Sequence, residues 1–178
     1  MKNYLKIGMA LLIAVTMFSC DKDDDVSKEE ENEKTNPVEF NGESFSWNDN
    51  AELWYYSDDQ YYDMNLFTGS LKVDYGSLAG SGDWLKIDFY TSTPGTLVAG
   101  DYVVSNSEDE GTCTVNFDFD VDTYGQYPTT GSSTYFTNGK VTIKGSGDTY
   151  TVTFDVTDDE GNELKGTVTS SFATVITN

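Results

Sequence analysis

Residues 83–92 read DWLKIDFYTS, with apolar Leu85, Ile87 and Phe89 at every second position and Trp84, Lys86, Asp88 and Tyr90 between them. A period of two belongs to a β-strand with one buried face and one wet face. The pattern recurs along most of the chain from Pro37 onward. TCTVNFDFDVD (112–122) places Cys113, Val115, Phe117, Phe119 and Val121 on one side, and Asn116, Asp118, Asp120 and Asp122 on the other. GKVTIKGSGDTYTVTFDV (139–156) reads as a hairpin with Val141, Ile143, Tyr150, Val152, Phe154 and Val156 turned inward. ELKGTVTSSFATV (163–175) turns Leu164, Val168 and Phe172 inward. Shorter strands are expected in VEFNGESFSW (38–47), ELWYYS (52–57), YYDMNLFTG (61–69) and LVAGDYVVS (97–105), and the Asn41-Gly42 pair in the first is a hairpin signal. No segment of length carries a helical period. Sequential strands joined by short turns predict an all-β domain. The expected form is an antiparallel meander of about eight strands making a β-sandwich or a flattened barrel, with a lipocalin-like barrel as the alternative.

The first 36 residues break this pattern. Residues 7–18 are apolar apart from Gly8 and Thr16, and they follow Lys2 and Lys6. The run is too short for a spanning helix, which needs about 20 residues. A basic start, a short apolar stretch and a small residue, Ser19, before Cys20 match a secretory signal. Residues 21–36, DKDDDVSKEEENEKTN, hold one apolar residue, Val26, so they cannot bury enough surface to offset the entropy of ordering. The expected organisation is a signal peptide over 1–19, Cys20 with an acidic flexible tether over 20–36, and a single all-β domain over 37–178.

Met17-Phe18-Ser19-Cys20 resembles a bacterial lipobox, although Met17 and Phe18 stand where Leu and a small residue are usual. The acids directly behind it, Asp21, Asp23, Asp24 and Asp25, resemble the export signal of Bacteroidetes surface lipoproteins. The stretch from "LVAGDY" through "TNGKVTIKGSGDTYTVTFDVTDDEGNELKGTVTSSF" is similar to the C-terminal part of small, uncharacterised lipoproteins of that group. The resemblance implies lipidation at Cys20 and an outer-membrane location facing the cell exterior. It implies an all-β domain and no particular activity. Membrane attachment would then run through acyl chains on Cys20, which hold firmly when two or more are present.

Charge narrows the function classes. The chain carries 31 Asp and Glu against 10 Lys, with no Arg and no His, for a formal net charge of −21. Without residues 1–19, which hold two lysines and no acid, the charge is −23. Nucleic-acid binding depends on basic contacts to phosphate, so no nucleic-acid partner is expected. Lacking His, the chain has no imidazole base for a nucleophilic triad and no imidazole metal ligand. No cofactor is expected. Cys113, on the apolar side of its strand, reads as a core residue and not as a reactive thiol.

The remaining candidate chemistry is carboxylate and aromatic. Asp118, Asp120 and Asp122 recur at every second position of one strand, about 7 Å apart, too far for a shared cation without help from a neighbouring strand or loop, so they read as a solvated face with calcium as the alternative. Asp158, Glu160 and Glu163 surround Gly161-Asn162 and are weak metal candidates in what reads as a polar turn. WNDNAELWYYSDDQYYDMNLF (47–67) concentrates aromatics among Asp and Asn. Alternation cannot bury Trp54, Tyr55 and Tyr56 on one face, so some of these rings are expected to face solvent, along with some of Trp84, Tyr90, Tyr124 and Tyr127. The candidate ligand-binding residues are Trp54, Tyr55, Tyr56, Tyr61, Tyr62 and Trp84, and exposed rings beside hydrogen-bonding groups suit a glycan or a protein partner. The expected role is a surface-displayed binding or accessory domain with no enzymatic activity. The alternatives are a structural or assembly component of the cell envelope and, more remotely, a hydrolase built on paired carboxylates.

Overall fold

The computed structural model describes residues 37–57, 61–74, 77–93, 95–123 and 131–177. The signal peptide, Cys20 and the acidic tether lie outside the described residues. Every regular element is a strand: β1 (Glu39–Phe40), β2 (Glu43–Ser44), β3 (Glu52–Tyr56), β4 (Tyr61–Phe67), β5 (Lys72–Asp74), β6 (Ser77–Tyr90) and β7 (Gly100–Val104) come first. Then follow β8 (Thr112–Thr123), β9 (Ser132–Phe136), β10 (Asn138–Ser146), β11 (Thr149–Thr157), β12 (Glu163–Ser171) and β13 (Ala173–Thr177).

The fold is all-β, as the alternation requires, but the described residues form 13 strands instead of about eight, and the sheet is mixed. Its order is β13-β3-β4-β6-β8-β7-β10-β11-β12-β1-β2, with β5 paired to β6 and β9 to β8. Two neighbours are parallel, β13 with β3 and β7 with β8, so the chain is not a simple meander. The parallel pair at β13 has a plain cause. The chain runs from β12 into β13 through a single residue, buried Phe172, yet these strands stand near opposite ends of the order. One continuous segment serving both ends curls the sheet into a half-barrel.

The interior follows the alternate set expected from the pattern, except that Phe119 and Val168 are only partly buried against it and Val121, beyond a bulge in β8, falls in a separate small core. Leu85, Ile87, Phe89, Cys113, Val115, Phe117, Val141, Ile143, Tyr150, Val152, Phe154, Val156 and Leu164 are all buried in one cluster. Phe117 lies at its aromatic centre, with ring centroids 4.9 Å from Phe45, 6.0 Å from Phe40 and 4.2 Å from Phe119. The Asn41-Gly42 hairpin forms as expected, both residues having positive φ (52° and 83°), which suits the right-handed twist of the flanking strands. Asn41 also accepts from the Glu163 backbone N–H at 2.9 Å, tying the hairpin to the start of β12.

Two strands have no counterpart in the sequence reading, β5 and β9, and β6 begins six residues before the expected Asp83. SLAGSG (77–82) looks like a turn by composition, yet it is a strand. A Cβ on Gly80 would meet the Ser70 carbonyl oxygen at 2.3 Å, and one on Gly82 would meet that of Thr68 at 2.2 Å. Glycine fits at both positions because the preceding backbone at 68–70 crosses directly over them. This β5–β6 hairpin closes a second small core of Phe67, Leu71 and Val121, with Val73, Leu78 and Trp84 against it.

Candidate functional site

Strands β3, β4, β6 and β8 show their second face outside the main core, and the strand register arranges its side chains in rows. Tyr56, Tyr61 and Tyr90 form one row. Trp54, Asp63, Asp88 and Thr114 form the next. Glu52, Asn65, Lys86, Asn116 and Tyr135 form the third, reaching across to β9. Alternation put these residues on this face, and pairing of strands distant in sequence brought them together.

The tyrosine row is stacked. Tyr56 and Tyr61 have ring centroids 4.6 Å apart and planes 9° apart, and Tyr61 to Tyr90 is 5.9 Å at 37°. Rings that stack across neighbouring strands stand upright from the sheet, so the row offers ring edges and phenolic hydroxyls. Burial, and for Tyr61 also the neighbouring Tyr56 hydroxyl, raises the pKa values of all three, that of Tyr61 to about 12. The row therefore presents neutral hydroxyls able to donate or accept.

Beside it runs a polar network. Lys86 Nζ bridges Asp63 Oδ2 at 3.4 Å and Asp88 Oδ1 at 3.3 Å. Asp63 Oδ1 accepts from Asn65 Nδ2 at 3.0 Å, and Asp88 Oδ2 accepts from Thr114 Oγ1 at 3.0 Å. Asp63 and Asn65 are buried although they lie on the outer face, because the upright aromatics flank them. Burial raises the Asp63 carboxyl to about 6, assisted by Asp88 and opposed by Lys86. Burial by itself would lower Lys86, but the two carboxylates outweigh it and hold the ammonium charged. The amide Oδ1 of Asn116 is buried and has no hydrogen-bond partner among the described residues, while its Nδ2 donates to Asp118 at 3.2 Å. Asp118 also accepts from Ser133 of β9.

The six aromatics expected to bind a ligand are divided by the fold. Trp54, Tyr56 and Tyr61 are half-buried on the outer face. Trp84 is on that face too, but it stacks on Phe67 at 6.4 Å in the second core and donates its Nε1–H to Asn65 at 2.7 Å. Tyr55 and Tyr62 point the other way. They are buried in the main core and stack on each other at 4.8 Å. Alternation within ELWYY and YYDMNLF makes this division unavoidable, since adjacent residues cannot share a face. Tyr90, expected among the solvent-facing aromatics, joins the face. So do Asn116 and Tyr135, which were not singled out, although Asn116 was legible as the polar side of its strand. Tyr124 and Tyr127 lie outside the described residues.

The acidic candidates have local partners. The stripe of Asp118, Asp120 and Asp122 is broken by a bulge. Gly82 pairs with Val121 and Trp84 with Asp118, so Asp83 faces both Phe119 and Asp120. Asp120 takes a positive φ of 51° and leaves the Asp118 side. Asp158 accepts from the backbone N–H groups of Glu160 and Asn162 and from Asn162 Nδ2, as a turn-forming aspartate does, and these bonds lower its pKa, Asn162 first. Glu163 pairs with Lys165 at 2.8 Å. Among the described residues no group of three or more acidic or thiol side chains converges as a metal site would. Cys113 is fully buried, and burial pushes its thiol up to about 12.

The chain matches no protein family, no curated protein and no solved structure, so its fold and this polar–aromatic face stand on their own geometry.

Proposed function

We propose that this protein is a lipid-anchored, surface-displayed binding domain that presents the outer face of β3, β4, β6 and β8 to a glycan. The anchor would be Cys20 and the location the outer membrane, facing outward. The observation that carries the binding reading is the row of upright Tyr56, Tyr61 and Tyr90 beside the Asp63–Lys86–Asp88 bridge. Tyrosine hydroxyls, carboxylates and an ammonium offer donors and acceptors at strand spacing, as a hydroxyl-rich chain requires. Trp54, whose indole N–H is already taken by Glu52 at 2.6 Å, adds an apolar ring surface at the margin. The reading assigns no catalytic step to any residue.

A glycan array probed with the full-length chain tests this, alongside a pull-down for protein ligands. Binding should fall at least about tenfold in Tyr61→Ala and Trp54→Ala, a loss typical of truncating an aromatic anchor. Array binding unchanged in both variants, or a protein ligand with no glycan bound, would set the glycan reading aside. Cys20→Ala should release the protein from membranes, and continued membrane association would refute the anchor.

A further inference from the structure

The half-barrel is open between β9 and the β1–β2 hairpin, and a cleft of about 530 Å³ lies there, away from the outer face. Its floor is the partly buried rings of Phe40, Phe45 and Phe119. Its rim carries Glu43, Asp83 and Asp120 and, among the described residues, no lysine. Asp83 is held in place, accepting from Thr68 Oγ1 at 2.9 Å and from the Asp120 backbone N–H at 3.1 Å. Glu43 and Asp120 are exposed and their carboxylates make no hydrogen bond or ion pair among the described residues.

The walls of the cleft are edge strands. Among the described residues β9 pairs only with β8, and β2 only with β1. Edges of soluble sheets are ordinarily guarded by lysine, proline or a bulge. β9 reads SSTYF and has none of these. Ser132 and Thr134, on its cleft side, make no side-chain hydrogen bond among the described residues. An unguarded edge beside an apolar floor can extend the sheet by one strand, the added backbone pairing with β9 and every second side chain reaching the floor. The charge of the rim selects the other side chains. A second copy of this chain, at −21, is repelled from the cleft.

We propose that the cleft accepts an extended peptide of alternating apolar and basic residues, added as a strand along β9. The apolar side chains pack on Phe40, Phe45 and Phe119, and the long basic ones, on the other face of the added strand, reach back over its edge to the rim carboxylates of Glu43, Asp120 and Asp83. This site is separate from the outer aromatic face, and neither depends on the other.

The test measures fluorescence anisotropy of a labelled Val-Lys-Val-Lys-Val-Lys peptide with the full-length chain at about 0.15 M salt, where long-range attraction is screened. Saturable binding is expected. The Glu43→Gln/Asp120→Asn double variant should weaken it by about tenfold or more. Both changes conserve shape, and Asn tolerates the positive φ of position 120, so the fold should persist, as a thermal melt will verify. Glu108→Gln/Asp109→Asn removes the same charge from an exposed loop and should change affinity by less than about twofold. A peptide N-methylated at alternate residues, on the edge facing β9, should lose at least about tenfold. Equal weakening by the two double variants would show diffuse charge attraction and overturn the site. Undiminished binding of the N-methylated peptide would overturn strand addition, and no saturable binding would overturn both.

Discussion

Lys86 joins Asp63 to Asp88 across two neighbouring strands, yet the Asp63 carboxyl is still raised to about 6 from an ordinary 3.8. Burial beneath the aromatic rows exceeds what the ammonium restores. The folded chain therefore holds the Asp63 proton more tightly than the unfolded chain does, and stability from this group falls as pH rises from about 4 to about 6. The shift corresponds to about 3 kcal/mol. Urea unfolding at pH 4 and pH 7 should show Asp63→Asn gaining on the wild type by this order of magnitude at the higher pH. Parallel pH profiles for the two proteins would contradict it.

Tyr62 and Tyr61 are adjacent in sequence and opposite in role. The Tyr62 hydroxyl is buried with no hydrogen-bond partner among the described residues, and desolvation raises its pKa well beyond the usual tyrosine value. Tyr62→Phe removes an unsatisfied polar atom without a cavity, so it should be neutral or stabilise the fold by about 1 kcal/mol. Denaturant midpoints would decide, and a loss of more than about 1 kcal/mol would mean that the hydroxyl has a partner, such as an internal water.

Gly82 lies where the backbone of Thr68 crosses β6, with φ +154° and room for no side chain. Gly82→Ala should cost about 3 kcal/mol, because both the close approach and the backbone angle resist a Cβ. The small core around Phe67 and Leu71 should loosen first, seen as faster amide exchange in β5 and the start of β6.

Cys113 should be inert in the folded protein. Its thiol is fully buried and raised to about 12, so little thiolate exists at neutral pH and reagents cannot reach it. Alkylation followed by peptide mapping should leave Cys113 unmodified without denaturant and modify it completely in urea. Rapid labelling under native conditions would contradict the burial.

Phe117 has Phe40, Phe45, Trp47 and Phe119 within about 6 Å of its ring. Phe117→Ala should destabilise the domain by about 3–5 kcal/mol, the usual result of emptying a fully buried aromatic site. A calorimetric melt would show it.

The alternation of Leu85-Ile87-Phe89, Cys113-Val115-Phe117 and Tyr150-Val152-Phe154 was enough to establish strands and to name most of the core, because burying one face of a sheet demands that period. It also dictated that Tyr55 and Tyr56 could not face the same way. It could not say which would be inside, since tyrosine is at home on either face. What alternation cannot carry is pairing. That β13 lies beside β3, that β6 starts within the glycines of SLAGSG, and that Tyr56, Tyr61 and Tyr90 form one row follow from contacts between distant segments. The bulge at Asp120 is of the same kind. A strand repeating acid at every second residue gives no local sign of where it will slip, and only its partner strand with Asp83 decided that Asp120 would turn toward the open cleft.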